Sequence, residues 1–363
     1  MRVVDLFCGT GGFSRGAHAA GFNVVAAYDL DDTLTSSYGI NFPSTTLRHR
    51  DISGLTASDI EQDAGTEVDG IFGGPPCQGF SSIGLRDTKD PRRLLLGHFF
   101  RLVREARPKF FVMENVVGLA HSESIPLLNA ALESVSEAYD VSAPWILNAA
   151  DFGAATIRRR LFVVGVRRDI GTAPSIQSLT PYHKPAATVR DAISDLLSAK
   201  RIADREANPG FDVWKIQSRK RLSPYAAKLR APDHTFTGHR LTVHSPAVAA
   251  RFAKVMQGEM DKIGRHPRLA LAGQCPTLRA GTGSDRGSFQ SVRPIHPLLD
   301  RVITVREAAR LQGFPDAHVF HTTVWHSFRM IGNSVSPIVS EALFSMIRDH
   351  LQALAARRTL GQK

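Results

Sequence analysis

Residues 3–12 read VVDLFCGTGG, an apolar run followed at once by a glycine-rich turn, and this stretch decides the fold. Valine and leucine before such a turn are typical of a buried β-strand. The glycines let the backbone approach a ligand closely, and the helix that follows aims its first N–H groups at that ligand. The stretch therefore predicts the first strand, turn and helix of an α/β fold that binds a nucleoside-containing cofactor. Its spacing is GxGG and not GxGxxG, so it does not indicate a dinucleotide specifically.

Four further apolar runs follow, with helical patterns between them, at residues 24–30, 69–74, 110–116 and 161–166. Before the run at 110–116, five apolar residues recur at helical spacing and predict a crossover helix: Leu95, Phe99, Leu102, Val103 and Ala106. Strands that alternate with helices favour an α/β fold with a mostly parallel, Rossmann-like sheet.

This alternation ends near residue 170, and prolines and turn residues punctuate the chain from there to about residue 300. We predict an α/β domain over residues 1–169 and a smaller, irregular domain over residues 170–325, with its central part at about 200–300. Residues 326–363 are expected to form a C-terminal segment that returns to the first domain.

The composition excludes several classes of protein. Hydrophobic residues make up 43% and charged residues 22% of the 363 residues, and no apolar run approaches the ~20 residues that span a bilayer. Asp5 interrupts the only apolar stretch near the start, which argues against a signal peptide. We expect a cytoplasmic protein with no membrane partner.

The three cysteines, Cys8, Cys77 and Cys275, lie far apart and lack CxxC spacing. They support neither a disulfide framework nor a zinc site, and we predict no metal. Any cysteine chemistry is therefore thiol chemistry.

The net charge of +11 is concentrated in one segment. Residues 201–270 hold 14 lysines and arginines against 6 aspartates and glutamates, which accounts for 8 of the 11 charges. Seven of these cations are accompanied only by Asp233 in their stretch of sequence: Lys215, Arg219, Lys220, Arg221, Lys228, Arg230 and Arg240. This pattern is typical of a surface that meets a phosphate-rich partner.

Three predicted strand ends carry chemically useful residues. Asp29 ends the second strand, 20 residues past Gly9, where an acceptor for ribose hydroxyls is expected. After the third strand, Gly73-Gly74-Pro75-Pro76-Cys77 sets an unusual loop path and presents one thiol at the carboxyl end of the strand, where open α/β sheets bind ligands.

The fourth strand ends in Glu114, which is expected to lie near the Cys77 loop. A thiolate beside a carboxylic acid suits addition to an electron-poor pyrimidine: sulfur adds at ring C6 while the acid hydrogen-bonds ring N3. C5 then becomes a carbon nucleophile.

These stretches resemble the DNA (cytosine-5) methyltransferase family. The resemblance lies in DLFCGTGGFSRG (residues 5–16), GGPPCQGFS (73–81), MENV (113–116), the paired-arginine segment from Phe152 to Arg160, RVITVREAARLQGFP (301–315) and IGNSV (331–335), in the family's order. Only residues 170–273 resemble nothing in particular. In this family that interval is the target-recognition region, so the resemblance makes the irregular domain the DNA-binding part and residues 1–169 the catalytic and cofactor-binding part.

The resemblance implies S-adenosylmethionine as cofactor, S-adenosylhomocysteine as product and double-stranded DNA as partner, with the target cytosine swung out of the helix. It makes Cys77 the nucleophile, Glu114 the base-binding acid, and Arg158 and Arg160 companions of the flipped cytosine and its phosphate. Nine positions match residues around the cofactor: Phe7, Gly9, Gly11, Asp29, Asp51, Ile52, Pro76, Leu95 and Asn333. Within the same motifs, Gln78, Ser81 and Asn115 are expected to contact the substrate.

Some positions depart from the family pattern. Asp29 stands where Glu is usual, Leu30 replaces an aromatic residue that often packs on adenine, and Ala155 and Thr156 stand where Pro and Gln are common. These changes bear on cofactor affinity and on one hydrogen bond near the target base, and they spare the nucleophile, the acid and both arginines.

Two alternatives compete with methylation of duplex DNA. One branch of the family methylates transfer RNA, and a catalytically silent DNA-binding protein could keep the same scaffold. The length and charge of the irregular domain favour duplex DNA, and the presence of all four catalytic residues argues against a silent protein. We expect a monomer; the DNA sequence it recognises and the existence of a cognate restriction endonuclease do not follow from the sequence.

Overall fold

A computed structural model of the chain describes residues 1–76, 94–202, 210–217, 222–281 and 292–361. It divides into two compact units. The first unit comprises residues 1–148, 159–183 and 339–363, and the second comprises residues 149–158 and 184–338. The functional division of the chain at residues 169 and 325 stays a prediction.

The first unit is built on an eight-stranded sheet. Its strands are β1 (Arg2–Leu6), β2 (Asn23–Asp29), β3 (Thr46–His49), β4 (Gly70–Gly73), β5 (Phe110–Asn115), β6 (Tyr139–Val141), β7 (Trp145–Asn148) and β9 (Arg159–Arg167). Its helices are α1 (Gly12–Ala19), α2 (Asp32–Thr35), α3 (Tyr38–Asn41), α4 (Ala57–Ala64), α5 (Leu94–Ala106), α6 (Ile125–Ser136) and most of α12 (Pro337–Gly361). The five predicted strands and the crossover helix α5 are all present.

The strand order is β3-β2-β1-β4-β5-β9-β6, and β7 also pairs with β9. The five strands β1 to β5 run parallel to their neighbours, whereas β9 is antiparallel to β5, β6 and β7. The predicted α/β fold with a mostly parallel sheet is confirmed. The sequence pattern did not indicate β3, β6 and β7, which are only three or four residues long, nor the reversed direction of β9.

Aromatic residues hold helices against this sheet. Phe13 of α1, Phe72 of β4 and Phe344 of α12 make edge-to-face contacts at centroid distances of 4.9 to 5.5 Å. Helix α1 approaches α12 so closely that a Cβ on Gly16 would lie 2.2 Å from Cβ of Ser340. The Ser340 hydroxyl also donates a hydrogen bond of 2.6 Å to the carbonyl of Phe13. Residues 327 positions apart thus fix the helix that follows the glycine-rich turn.

The second unit contains short elements. Its strands are β8 (Thr156–Ile157), β10 (Ala199–Ile202), β11 (Val213–Ile216), β12 (Thr235–Thr237) and β13 (Cys275–Pro276). Its helices are α7 (Val189–Ile193), α8 (Pro224–Leu229), α9 (Pro246–Ala253), α10 (Val305–Gln312) and α11 (Val324–Asn333). Strands β10, β11 and β12 form an antiparallel sheet, and β13 pairs with β8 in parallel. The region predicted as irregular therefore has a small sheet of its own.

Helix α10 is the core of this unit. All eight of its residues are buried, including Arg306, Glu307 and Arg310. A capping box between Thr304 and Glu307 begins the helix, and Gly313, with a φ of 95°, ends it. One stretch of the described chain, Val324–Thr359, is long and apolar enough to cross a membrane, but 72% of its most apolar window is buried, as in the core helix of a globular protein.

Candidate active site

The candidate site lies at the carboxyl edge of the parallel strands. Strands β1, β2, β4 and β5 are parallel neighbours, so their last residues lie along one edge. Three of the four predicted chemical segments follow directly from these ends: the glycine-rich turn after Leu6, Asp29, and the loop after Gly73. Glu114 is the fourth, and it is the penultimate residue of strand β5. Open α/β sheets bind their ligands at this edge.

The glycine-rich turn has a backbone that few side chains tolerate. Phe7, Gly9 and Gly11 have φ values of 68°, 49° and 82°. The N–H groups of Phe7 and Cys8 both donate to the carbonyl of Tyr28, at 2.8 and 3.0 Å, which ties the turn to β2. A Cβ built on Gly9 meets no atom of the described residues within 4 Å, so among them the turn has room above it for a ligand. Gly11 caps α1 without a side-chain hydrogen bond.

Asp29 joins this turn to the end of β2. Its Oδ2 accepts the N–H of Gly9 at 2.8 Å, and its Oδ1 accepts the N–H of Asp31 at 2.9 Å. Burial raises the pKa of Asp29, and these backbone hydrogen bonds oppose the rise. Each carboxylate oxygen can accept a second hydrogen bond, so the group fits the two hydroxyls of a ribose. The adjoining Leu30 is 69% exposed, as a side chain that packs on a ligand would be before binding.

The next strand end extends the site past Asp29. β3 pairs with β2 so that His49 lies opposite Asp29, and the N–H of Arg50 donates to the Asp29 carbonyl at 3.2 Å. Asp51 then caps a single 3-10 turn, Ile52–Gly54, by accepting the N–H of Ser53 at 2.9 Å. This hydrogen bond lowers the pKa of Asp51. Ile52 is buried in the core of the first unit.

Other predicted cofactor positions are distributed among several elements. Leu95 and Pro76 are partly buried in the first unit, with Leu95 on α5 and Pro76 after β4. Asn333 is exposed at the end of α11, in the second unit. The assignment of these three residues to a cofactor stays a prediction.

Glu114 has the surroundings of a chemically active carboxyl group. It is 8% exposed at the end of β5, and its Oε1 lies 3.1 Å from Nε of Arg160. Arg160 is on β9, the antiparallel neighbour of β5. A Cβ on Gly74 would lie 2.8 Å from Oε2 of Glu114, so the absence of a side chain at Gly74 is required for the carboxyl group to occupy this position.

Asn115 connects Glu114 to the loop that carries the predicted nucleophile. Its side chain donates a hydrogen bond of 3.1 Å to the carbonyl of Pro75 and accepts the N–H of Val116 at 2.8 Å. The described residues therefore lead to within two positions of Cys77. Cys77, Gln78 and Ser81 themselves lie outside the described residues.

The two described cysteines are unsuited to nucleophilic chemistry. Cys8 and Cys275 are both buried. Burial raises the pKa of Cys8 well above its ordinary value, and the nearby charges of Asp29 and Asp5 raise it further. Burial alone raises the pKa of Cys275. Both thiols thus stay protonated at neutral pH. The assignment of the nucleophile to Cys77 stays a prediction.

Arg158 differs from Arg160 in its surroundings. Arg158 is 2% exposed in the second unit, and its guanidinium donates to the carbonyls of Leu278, Gly332 and Ser334 at 3.2, 2.7 and 2.7 Å. These carbonyls belong to the segments that follow β13 and end α11. The guanidinium thus holds the backbone at the end of α11, around residues 332–334.

Part of the basic segment is also used inside the second unit. Arg230 forms an ion pair of 2.8 Å with Asp195, and both side chains are less than a tenth exposed. The prediction that Arg230 belongs to a surface for a phosphate-rich partner does not fit this pairing, because Asp195, 35 residues earlier in the chain, is folded against it. Lys215, Lys228 and Arg240 are exposed, and Arg219, Lys220 and Arg221 lie outside the described residues.

A buried polar cluster beneath the glycine-rich turn was missed in the sequence. The Ser14 hydroxyl donates to Oδ2 of Asp5 at 2.5 Å and lies 2.8 Å from the Tyr38 hydroxyl. A Cβ on Gly11 would lie 2.9 Å from the Tyr38 ring. Burial raises the pKa of Asp5 well above its ordinary value. The only signal in the sequence is that Asp5 and Ser14 interrupt apolar patterns.

No group of three or more histidine, cysteine or acidic side chains that could hold a metal ion occurs among the described residues. The site has instead the parts for a nucleoside: a turn that leaves space over glycine, a fixed carboxylate for a ribose, and a neighbouring capped turn. A second carboxyl group with its arginine stands farther along the same edge.

With this geometry in hand, comparison with known proteins defines the class. The sequence model of the C-5 cytosine-specific DNA methylase family matches residues 1–349. The chain belongs to this family and is a methyltransferase enzyme. The predicted family and its fold are thereby confirmed.

The relatives are modification enzymes. The chain is 40% identical to Type II methyltransferase M.XorII of Xanthomonas oryzae pv. oryzae, over 96% of this chain and 85% of that protein. It is 32% identical to Type II methyltransferase M.DdeI of Desulfomicrobium norvegicum, over 96% and 88%. Restriction-modification systems are thus the setting of its relatives.

Solved structures agree with this family. A prophage-encoded E. coli protein described as a DNA modification methyltransferase superimposes with a TM-score of 0.83 at 38% identity, covering 97% of this chain and 99% of that one. The S. pombe Dnmt2 methyltransferase has a TM-score of 0.65 at 19% identity, with coverages of 97% and 99%, and it supports the fold alone.

Proposed function

We propose that this enzyme transfers a methyl group from S-adenosylmethionine to C5 of a flipped cytosine within a specific sequence of duplex DNA, through a covalent bond between Cys77 and ring C6. The observation that carries the proposal is the Glu114–Arg160 pair at the carboxyl edge of the sheet, beside the glycine-proline loop that leads to Cys77. Family membership supports DNA as the substrate class.

The chain's own residues fit the proposed cofactor. Asp29 would accept the ribose hydroxyls, the turn from Phe7 to Gly11 would receive the ligand over its glycines, and Asp51 and Ile52 would bind the adenine side. When bound, S-adenosylmethionine supplies an electrophilic methyl group. Burial of Asp29 and its backbone hydrogen bonds keep its carboxylate oriented before the cofactor arrives.

Glu114 and Cys77 would act on the cytosine ring from two sides. The Cys77 thiolate adds to C6, and the displaced electron pair gives C5 carbanion character while negative charge grows on ring N3. A proton held between Glu114 and N3 neutralises that charge. After C5 has gained the methyl group, a base removes the C5 proton, the C5–C6 double bond re-forms and sulfur leaves as thiolate. Arg160 holds one oxygen of Glu114 and so orients the carboxyl group toward the base.

Arg158 has a different role in this proposal. Since its guanidinium binds three backbone carbonyls of the second unit, it acts as a positioning residue and not as a phosphate ligand. Among the described cations of residues 201–270, Lys215, Lys228 and Arg240 are exposed and suited to meet DNA phosphates.

Transfer of tritiated methyl groups to duplex DNA and to total transfer RNA, measured in competition, tests the substrate. We expect label in DNA only, and label confined to RNA would refute the proposal. Bisulfite sequencing of genomic DNA from a methylation-free host that expresses the gene then identifies the base and the recognition sequence.

Trapping by DNA that contains 5-fluorocytosine tests the mechanism. Fluorine replaces the proton that must leave C5, so the wild-type enzyme should stay attached to the DNA. Cys77→Ala should form no adduct, whereas Cys275→Ala serves as a matched control that still does. An adduct that survives in Cys77→Ala would exclude Cys77 as the nucleophile.

We further propose that the enzyme works as a monomer in the bacterial cytoplasm, associated with the nucleoid through DNA. Sedimentation at assay concentration, with and without duplex DNA, tests the first point. The Type II relatives support a search for a cognate restriction endonuclease beside the gene.

A further inference from the structure

Arg101 stands outside the proposed catalytic residues, yet its guanidinium is fully engaged. It lies on α5 with a side chain that is 25% exposed. Its Nη2 donates to the carbonyls of Leu55, Ile52 and Ser53 at 2.8, 3.0 and 3.4 Å. Its Nη1 lies 2.9 Å from both carboxylate oxygens of Glu105, and its Nε lies 3.4 Å from Nδ1 of His98.

The three carbonyls belong to the 3-10 turn Ile52–Gly54 and the residue after it. A single 3-10 turn has poor hydrogen-bond geometry and little stability of its own. Its own backbone bonds, from Gly54 to Asp51 and from Leu55 to Ile52, are both 3.2 Å long. The carbonyls at the end of the turn would otherwise need water, so a cation there acts as a C-terminal cap.

This turn lies next to the carboxylate that would bind the ribose. Asp51, which caps the turn, is one residue past Arg50, whose N–H donates to the carbonyl of Asp29. Ile52 is 3% exposed, so its side chain anchors the turn in the core while its carbonyl is held by Arg101. The backbone from Asp51 to Ile52 is therefore fixed from both sides, on a segment that has no regular structure beyond these three residues.

We propose that Arg101 is a positioning residue for the cofactor: by clamping the carbonyls of Ile52, Ser53 and Leu55 to α5, it sets the backbone that meets the adenine side of S-adenosylmethionine. The inference rests on the proposed function for the identity of the cofactor. It assigns to Arg101 no contact with cofactor, DNA or the reacting atoms. Its effect therefore falls on cofactor binding and not on the methyl-transfer step.

Glu105 and the planar shape of the guanidinium explain why arginine is needed. Both oxygens of the Glu105 carboxylate accept from Nη1 and leave Nη2 for the turn, so the pair fixes the direction of Nη2. A lysine could reach the carbonyls but could not engage Glu105 with the same geometry. Because the pair is partly exposed, its own contribution to stability is small.

Cofactor binding and catalysis are measured separately in the test, with the full-length chain. Isothermal titration with S-adenosylhomocysteine gives Kd, methyl transfer to duplex DNA gives kcat and the KM for S-adenosylmethionine, and thermal unfolding gives Tm. The variants are Arg101→Met, Arg101→Lys and Glu105→Gln. Arg48→Met is the matched control, because Arg48 is also an arginine of the first unit that forms an ion pair, with Asp63, on the protein surface.

Arg101→Met should raise Kd and KM for the cofactor about tenfold, since hydrogen bonds from a charged donor are lost. At saturating cofactor its kcat should fall less than about twofold, because the reacting groups are untouched. Glu105→Gln should have a smaller effect in the same direction, Arg101→Lys should recover part of the loss, and Arg48→Met should match wild type.

Two results would overturn the inference. An unchanged Kd in Arg101→Met would show that the turn keeps its shape without the clamp, and a loss of kcat as large as the rise in KM would place Arg101 in the chemistry. Failure of the wild-type protein to bind S-adenosylhomocysteine would instead refute the proposed cofactor, and the inference with it. A fall in Tm with unchanged Kd would assign Arg101 to stability alone.

Discussion

The carboxyl edge of the sheet and helix α10 both hold charged side chains, but the hydrogen-bond and ion-pair partners of these side chains differ. At the edge, Nε of Arg160 lies 3.1 Å from Oε1 of Glu114, and the Arg160 side chain stays 17% exposed. In α10, Arg310 and Asp316 make two contacts of 2.6 Å with no exposure, and Arg306 donates to three carbonyls. Groups saturated by the protein hold the fold, whereas groups that keep access to ligand can do chemistry.

The paired-arginine segment contains the same contrast within three residues. The Nη1 and Nη2 atoms of Arg158 donate to the carbonyls of Leu278, Gly332 and Ser334, while Arg160 is paired with a carboxyl group of the candidate site. Arg158 and Arg160 are the same type of residue and lie in the same motif, so the sequence does not distinguish them. Their partners, far away in sequence, distinguish an arginine bound to backbone carbonyls from an arginine paired with a carboxyl group.

The largest effect should come from the edge. Glu114→Gln should lower kcat about a thousandfold, because the amide cannot neutralise charge at ring N3 as a carboxylic acid does. Binding of DNA, measured by fluorescence anisotropy, should change by less than about threefold, since Glu114 does not meet phosphate. Glu133→Gln, which alters an exposed surface acid on α6, is the control. Equal losses in kcat and in DNA affinity would show that Glu114 has a structural role.

Arg158→Ala should instead unfold the protein more easily. Removal of the guanidinium leaves three carbonyls without their donor and should cost roughly 3 kcal/mol of stability. Chemical denaturation measures this loss, with the neighbouring exposed Arg159→Ala as control. A stable but inactive Arg158→Ala would contradict its assignment as a positioning residue and restore it to the substrate site.

Asp29→Asn should weaken cofactor binding about tenfold, because a charged acceptor of ribose hydroxyls becomes a neutral one. Titration with S-adenosylhomocysteine checks this, and the exposed Asp32→Asn is the control. The Tm should fall only modestly, because the asparagine amide keeps one acceptor oxygen for the N–H groups of Gly9 and Asp31. A loss in the free energy of unfolding larger than the loss in the free energy of cofactor binding would show that Asp29 holds the fold, as the charged residues of α10 do.

The smallest effect is a pH dependence of stability near α10. Burial lowers the pKa of His296 to about 4, below the ordinary value of about 6.5. The unfolded chain therefore binds the proton first as the pH falls, and stability should be lost from about pH 6.5 down to about pH 4. His296→Gln should flatten the fall of Tm in this range, while the exposed His121→Gln should not. The same dependence of Tm on pH in wild type, His296→Gln and His121→Gln would show that His296 does not cause the loss of stability.

Glu307 extends this acid sensitivity to lower pH. Burial alone would raise its pKa, but the hydrogen bonds and charge of Arg301 dominate and lower it to about 2. The stability it contributes is present above its ordinary pKa and is lost as the pH falls toward about 2.

Local pattern was enough to predict the sheet and part of the edge. Apolar runs revealed five strands because each is buried, and the 20-residue spacing from Gly9 to Asp29 corresponds to a real hydrogen bond. The motif around Glu114 placed that residue at a strand end, where it lies.

Roles set by distant partners could not be predicted. Arg230 pairs with Asp195, Arg101 caps a turn 46 to 49 residues earlier, and Arg158 binds carbonyls 120 to 176 residues later. No local periodicity records such contacts, because they depend on how the chain returns on itself.

The contact between Gly16 and Ser340 affects how the chain can fold during its synthesis on the ribosome. Ribosomes add about 5 to 20 residues per second, so α1 waits on the order of tens of seconds for the helix that packs against it. Until Ser340 arrives, the Phe13 carbonyl lacks its donor and the Phe344 ring is missing from the aromatic cluster. A nascent chain that already carries the glycine-rich turn and Glu114 thus still lacks the helix that packs against α1.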